Sequence, residues 1–424
     1  MADAAAASRL KPAPLLLLTV LLPFGLGYYM SYMFRTVNAI ISPQLVHDVG
    51  LSPGDLGVMT SAYFFTFAAA QLPLGIVLDK YGPRKVQAAM LLIAAVGAVL
   101  FSIGHDAGSL LAARALVGAG VSGSLMAALK ANVMWFPRER LPLLNGLVFA
   151  FGTSGALSTT VPLEMLIHTV DWRTVFVGLA VLSALVGLFI YFVVPERTPE
   201  QKQPVDGQSA FASQIDDLRQ IYGNAFFWRM IAMVVLHNGV FLAYQSLWAA
   251  PWLRDVAGLD QAGVADGMFM FNAGMFAGVL SLGLFAERLQ KMGVPPLVFA
   301  GGGIALSLLV QCAFAAQWTA HPDVLCLLFG YFGSSSVLVY AVFNQKFPAR
   351  LVGRVNTAQN MLTFSAAFAV QWLIGVVIGM YPSATAGTFS PEGHQVALIA
   401  AIAVELVGFV YFVWPRRSRN HEPA

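Results

Sequence analysis

The chain has 424 residues, 58% of them hydrophobic and 11% charged, at a mean hydropathy of +0.71. A soluble protein of this length needs far more charge to cover its surface, so the bilayer is the solvent. A net charge of +3 gives no electrostatic case for a nucleic-acid partner, and two lone cysteines, Cys312 and Cys326, exclude a disulfide framework or a paired-cysteine metal site.

A membrane-crossing helix takes about 20 mostly apolar residues. Twelve such runs follow one another, near 15–42, 54–78, 86–104, 109–135, 143–167, 173–195, 228–252, 264–286, 296–317, 323–345, 355–380 and 394–415, which predicts an all-α membrane protein. The first begins in "MADAAAASRLKPAPLLLL", a short basic region before a long apolar run with no small-residue cleavage site, and reads as a retained span. Ser52-Pro53-Gly54-Asp55 predicts a helix start with an N-cap, a first-turn proline and a capping-box acid; Ser390-Pro391-Glu392 predicts another. A polar stretch separates six spans from six, dividing the chain into 1–195, a linker at 196–227 and 228–424. In the linker, Phe211, Ile215, Leu218 and Tyr222 share one helical face, as in a short amphipathic helix on the membrane surface.

With the N-terminus in the cytoplasm, 19 of the 24 Lys and Arg residues fall on cytoplasmic segments. Arg173 and Arg254 lie at outer ends, and only Arg35, Arg114 and Lys130 lie inside spans. This bias places both termini in the cytoplasm of a multi-pass protein of the cell (inner) membrane.

The two sets of six spans repeat one another. "GIVLDKYGPRK" after span 2 and "GLFAERLQKMG" after span 8 both give Gly, then an acid four residues on, then a base; Asp79 and Glu287 are 208 residues apart. "WFPRERL" after span 4 and "KFPARL" after span 10 place Phe136 and Phe347 211 apart. A duplicated six-span unit is the architecture of an alternating-access transporter. In Gly75, Asp79, Lys80, Gly82, Arg84 and Lys85 the chain resembles the major facilitator superfamily, whose signature between spans 2 and 3 these residues meet in full. Glu287 and Arg288 stand in the degenerate second copy, and "RALVGAGVSG" with Arg114 is similar to the family's span-4 motif. The resemblance implies twelve transmembrane helices in two pseudo-symmetric six-helix bundles. It also implies that these motif residues control the conformational change, with the Asp79 position latching the halves against the start of span 11. The residues allow the same reading, because an acid at a helix C-terminus is disfavoured by the helix dipole and needs a partner.

The resemblance further implies that spans 1, 4, 7 and 10 line a central cavity. Span 1 carries Tyr28, Ser31, Arg35, Asn38 and Ser42 on one helical stripe, all polar, so that face meets water, solute or polar neighbours rather than lipid. Candidate substrate contacts are Tyr28, Arg35, Asn38 and Lys130, with His237, Tyr244, Gln245 and Trp248 from span 7, Tyr340 and Asn344 from span 10 and Asn360 from span 11. Arg35 and Lys130 have no acid at a comparable place on spans 1, 4, 7 or 10, and unbalanced positive charge favours an anion. "MFRTVNAIISPQL" also resembles the first span of the family's anion/cation symporters and organophosphate exchangers. Structural readings compete: Arg35 or Lys130 snorkelling to an interface, Arg114 as a gating or packing arginine, His237 as a neutral core histidine and Glu405 as a structural acid on a peripheral helix.

The expected function is secondary active transport of a small organic anion, of carboxylate or phosphate type, by a proton-coupled monomer with no metal or cofactor. A drug or metabolite exporter of the same fold is the alternative, weakened by span 5, which lacks the Gly-Pro pair those exporters carry in the family. A transport-inactive membrane sensor is a further alternative, without the added domain such a protein tends to keep. No nucleophile–base set supports an enzyme, and no Walker motif makes ATP the driver.

Overall fold

A computed structural model of the protein describes residues 13–137, 140–196, 216–383 and 388–414. Twelve helices cross in sequence. In chain order they are α1 (Leu17–Val49), α2 (Pro53–Tyr81), α3 (Pro83–Ser102), α4 (Ala107–Trp135), α5 (Leu143–Ile167), α6 (Trp172–Val193), α7 (Ala225–Asp255), α8 (Gln261–Lys291), α9 (Pro296–Ala315), α10 (Pro322–Gly333 continued by Ser334–Val337 and Leu338–Lys346), α11 (Ala349–Gly379) and α12 (Pro391–Val413). Among the described residues, ten hold an uninterrupted stretch long and apolar enough to cross a bilayer, and α2 joins them as a pair of segments bent by 59° beside Pro73, whose ring and missing N–H break the helical ladder.

Local chemistry sets the starts. Ser52 and Asp55 form the expected capping box, with Asp55 N donating to Ser52 Oγ at 3.1 Å and Ser52 N to Asp55 Oδ2 at 3.2 Å. Ser390 caps α12 with Pro391 in its first turn. Asp106, Asp171 and Asn224 cap α4, α6 and α7. Of the linker, 216–222 is helical and carries Leu218 and Tyr222; Phe211 and Ile215 lie outside the described residues.

The repeat is visible in the packing. Helix α1 packs on α5, α2 on α4 and α3 on α6, and the pairs six helices further on, α7 with α11, α8 with α10 and α9 with α12, pack likewise. Irregular turns recur in step. A break at Ser122–Gly123 in α4 answers a 3-10 turn at Ser334–Val337 in α10, with Gly123 and Ser334 lying 211 residues apart; π-turns also open α1 at Leu17–Leu21 and lie in α7 at Tyr244–Trp248, at positions that do not correspond. The four helices expected around the centre all depart from regular α geometry at these turns.

Contacts between the two sets of six gather toward the end opposite the basic loops. The largest joins α2 to α11: Phe67 and Phe364 have centroids 4.1 Å apart, and Phe64 stacks on Phe364 at 5.9 Å. Nearer that end a Cβ on Gly375 would come within 2.5 Å of the Pro53 carbonyl, so only glycine admits this approach. Trp248 of α7, held by its indole N–H on the Gln371 carbonyl of its own set at 2.9 Å, packs its ring near Gly57 of α2 in the same seam, and Gln261 of α8 donates to the Ile40 carbonyl of α1 at 3.0 Å.

Candidate functional site

Arg35 stands midway along α1, 5% exposed, within a box of rings. Its guanidinium carbon lies 4.3 Å from the Tyr32 centroid, 5.5 Å from Phe364 and 6.0 Å from Phe67. Phe364 belongs to α11, so the arginine faces the seam between the two sets of helices. Its Nε is buried without a hydrogen-bond partner, and among the described residues no carboxylate pairs with it. Cation–π contacts contribute about 0.5–2 kcal/mol each. A charge inside the bilayer costs from about 3 to more than 10 kcal/mol. The rings alone therefore leave the guanidinium in want of water or an anion.

A second arginine lies beside it. Arg114 of α4 is fully buried, donates through Nη1 to the Phe34 carbonyl of α1 at 2.8 Å, and sits 5.3 Å from the Tyr63 ring. Tyr63 donates its hydroxyl to the Ser31 carbonyl at 3.1 Å, and its ring packs against Phe67, which faces Arg35. No carboxylate bonds to Arg114 either among the described residues. The acids buried in or bordering the spans are engaged elsewhere: Glu164 with His168, Asp255 with Arg254 and Glu405 with His237.

The remaining candidates separate. Tyr28 is buried edge-on to Tyr32 at 5.1 Å and to Phe149 of α5 at 6.0 Å, so it adjoins the arginine box. Asn38 spends its amide N–H on Thr60 at 3.1 Å and leaves Oδ1 buried without a partner. Gln245 donates to Asn272 Oδ1 at 3.1 Å, and its own Oε1 is unpartnered. Asn360 is buried one turn before Phe364 on α11. Tyr244 turns into the core of the second set of helices, against Phe314 and Phe329. Trp248 belongs to the seam, where Ser246 also donates to Gln371 Oε1 at 2.7 Å. The side chains of Tyr340 and Asn344 lie outside the described residues.

Lys130 is not beside Arg35. It bonds Asp79 at the basic end, half-buried against an exposed acid, because its position near the end of α4 reaches the end of α2. In this conformation Asp79 therefore meets Lys130 of the same half, and no described side chain at the start of α11 pairs with it. Gly82 takes a left-handed φ of 80° between α2 and α3. Arg84 donates to the Tyr191 carbonyl of α6 at 2.7 Å, Lys85 pairs with Glu196 at 2.9 Å, and Lys80 lies over Tyr81. The signature bases thus tie α3 to the end of α6. Gly75 lies just past the bend in α2. Arg288 is exposed, and the side chain of Glu287 lies outside the described residues.

His237 also leaves the centre. It is fully buried, with Nδ1 3.0 Å from Glu405 Oε2 of α12 and Nε2 3.1 Å from the Gly333 carbonyl of α10. Sequence reasoning kept the histidine and the acid apart, since 168 residues separate them. It also passed over Tyr32, Tyr63, Phe67 and Phe364; the cue was there, in an aromatic three residues before Arg35.

Residues 24–371 match the family model described as Major Facilitator Superfamily. The chain is 23% identical over 384 residues to the "Probable sulfoacetate transporter SauU" of Cupriavidus necator, covering 86% of both chains. It is 20% identical to the "Probable L-galactonate transporter" of Escherichia coli, covering 96% of this chain and 90% of that protein. In fold it is similar to a D-xylose-proton symporter, with a TM-score of 0.72 at 14% identity over 94% of this chain and 97% of that one.

Proposed function

The chain belongs to the major facilitator superfamily of transporters, and we propose that it carries a small organic anion through the membrane by alternating access, with the anion's acid group bound at Arg35. The observation that carries this reading is a buried guanidinium on the seam between the two sets of helices with no carboxylate among the described residues to neutralise it. Arginine offers a planar fork that matches a carboxylate, sulfonate or phosphate, and the rings around it fix its direction. Arg114 adds positive potential nearby without being free to reorient, since the Phe34 carbonyl holds it. The second half brings no matching charge: 208 to 211 residues beyond Arg35 stand Ala243, Tyr244, Gln245 and Ser246, all neutral.

An anion's charged end then sits on α1 and its remainder faces amides and rings, among them Gln245 and Asn360. The names of the sulfoacetate and L-galactonate relatives, both of organic anions, support this substrate class. With the basic loops in the cytoplasm, the closed seam faces outward and the conformation described is inward-facing. The cycle is driven by protons entering with the anion across the inner membrane.

A thermal-shift panel of carboxylates, sulfonates, phosphates, neutral sugars and cationic drugs tests the reading on purified protein, because a ligand that binds the folded state raises its melting temperature. Organic anions are expected to raise it. Stabilisation by neutral or cationic compounds alone would overturn the assignment.

A further inference from the structure

We infer that His237 and Glu405 form the site at which the coupling proton is carried, apart from the substrate's arginine; this rests on the proton-coupled reading above. The bonding pattern constrains where the hydrogens are. A backbone carbonyl only accepts, so His237 Nε2, 3.1 Å from the Gly333 oxygen, carries a hydrogen. A bare imidazole nitrogen and a carboxylate oxygen repel at 3.0 Å, so a proton stands between Nδ1 and Glu405 Oε2, on one atom or the other. In this conformation the pair is loaded and carries no net charge. Release of that one proton to water leaves Glu405 as carboxylate and His237 neutral, with Nε2–H unchanged; loading reverses the step.

The surroundings suit a transported proton better than a permanent ion pair. Oε2 accepts a second bond from Gln311 Nε2 at 3.3 Å, yet Oε1 is buried with no partner among the described residues. A fixed carboxylate in an apolar interior is held at both oxygens, since each unpaired one is costly. No other charge is bonded to the pair among the described residues. Helix α9 brings Gln311; α10 brings the Gly333 carbonyl and the Ser336 hydroxyl, which donates to Asn238; α11 brings Ala366 beside Gly239; and on α7 itself the Phe241 ring stacks over the imidazole. The loaded pair ties α7 to α12 and α10. Unloaded, it sets a lone pair against a carboxylate and loosens that tie. The same helix carries Trp248, whose ring lies beside Gly57 of α2 across the outer seam, so one proton biases a helix that takes part in closure.

The test uses the full-length protein in liposomes with a trapped pH dye, with sulfoacetate as probe and melting temperature as a check on folding. Wild type is expected to acidify the lumen as sulfoacetate enters. Glu405→Gln can set its amide N–H groups against Nδ1 and, once the Gln311 amide turns its unpaired Oε1 inward, against Gln311 as well, but it takes up no proton; it is expected to lose proton entry by at least about tenfold while sulfoacetate counterflow stays within about threefold of wild type. A second variant, Gln311→Leu, removes a donor that favours the ionised acid, so the pH profile of coupled uptake is expected to move to higher pH. Proton entry in Glu405→Gln equal to wild type would overturn the site while leaving coupling intact. Absence of proton entry in wild type would overturn coupling and the site together. Loss of both entry and counterflow in Glu405→Gln, with an unmoved profile in Gln311→Leu, would make the pair a structural strut and overturn the proposal.

Discussion

Lys130 bonds Asp79 across the basic ends of α4 and α2, within one half of the molecule. Both positions were candidates for function by sequence, one as a substrate contact and one as a latch to the opposite half. Their pairing gives the signature acid a partner in the conformation described. If it exchanges that partner for the start of α11 when the seam opens, the acid works in both states.

Asp79→Asn is therefore expected to cut uptake severely while melting within a few degrees of wild type. A pair this exposed contributes about 0–1 kcal/mol to stability, so the loss falls on the conformational equilibrium. Lys130→Ala is expected to reduce uptake and leave the affinity for the anion unchanged. Uptake assays beside equilibrium binding check both variants; weakened binding in Lys130→Ala would return the lysine to the substrate site.

The seam yields a second prediction. A side chain at Gly375 collides with the Pro53 carbonyl and comes within 3.0 Å of the Trp248 ring. Gly375→Val overpacks the closed seam by about 1–3 kcal/mol, which shifts the population away from the conformation described by roughly five- to more than a hundredfold. Cysteine labelling from the outer face is expected to rise in this variant and net uptake to fall. Unchanged labelling would mean that α2 and α11 do not close the pathway.

Orientation is checked by reporter fusions after residues 202 and 424. The distribution of Lys and Arg predicts a cytoplasmic report from both. A periplasmic report from either would reverse the assignment of the seam to the outer face.

The elements were legible to different degrees, for physical reasons. Apolar length announced the helices, and Ser52 and Ser390 announced two starts, because span length and capping are local rules. The repeat was legible from Asp79 with Glu287 and from Phe136 with Phe347, and the paired irregularities at Gly123 and Ser334 follow the same offset. The partners of the charged residues were not legible. His237 and Glu405 meet only because α7 packs on α12, and Lys130 meets Asp79 only because α2 packs on α4. The box around Arg35 is built largely of phenylalanines, which in a bilayer protein carry no polar pattern to mark them.

The most direct measurement of the account is anion binding to purified Arg35 variants by titration calorimetry, with melting temperature recorded on the same samples. Arg35→Lys keeps the charge and loses the fork, so it is expected to bind weakly. Arg35→Ala loses charge-assisted bonds of about 1.5–3 kcal/mol each, which weakens binding by more than about tenfold and takes it below detection if two are lost. Both variants are expected to fold and insert as wild type does, since no other residue depends on Arg35 for an ion pair. Wild-type affinity in Arg35→Ala, or failure of that variant to fold, would make Arg35 a structural arginine and contradict its role as the anion's ligand.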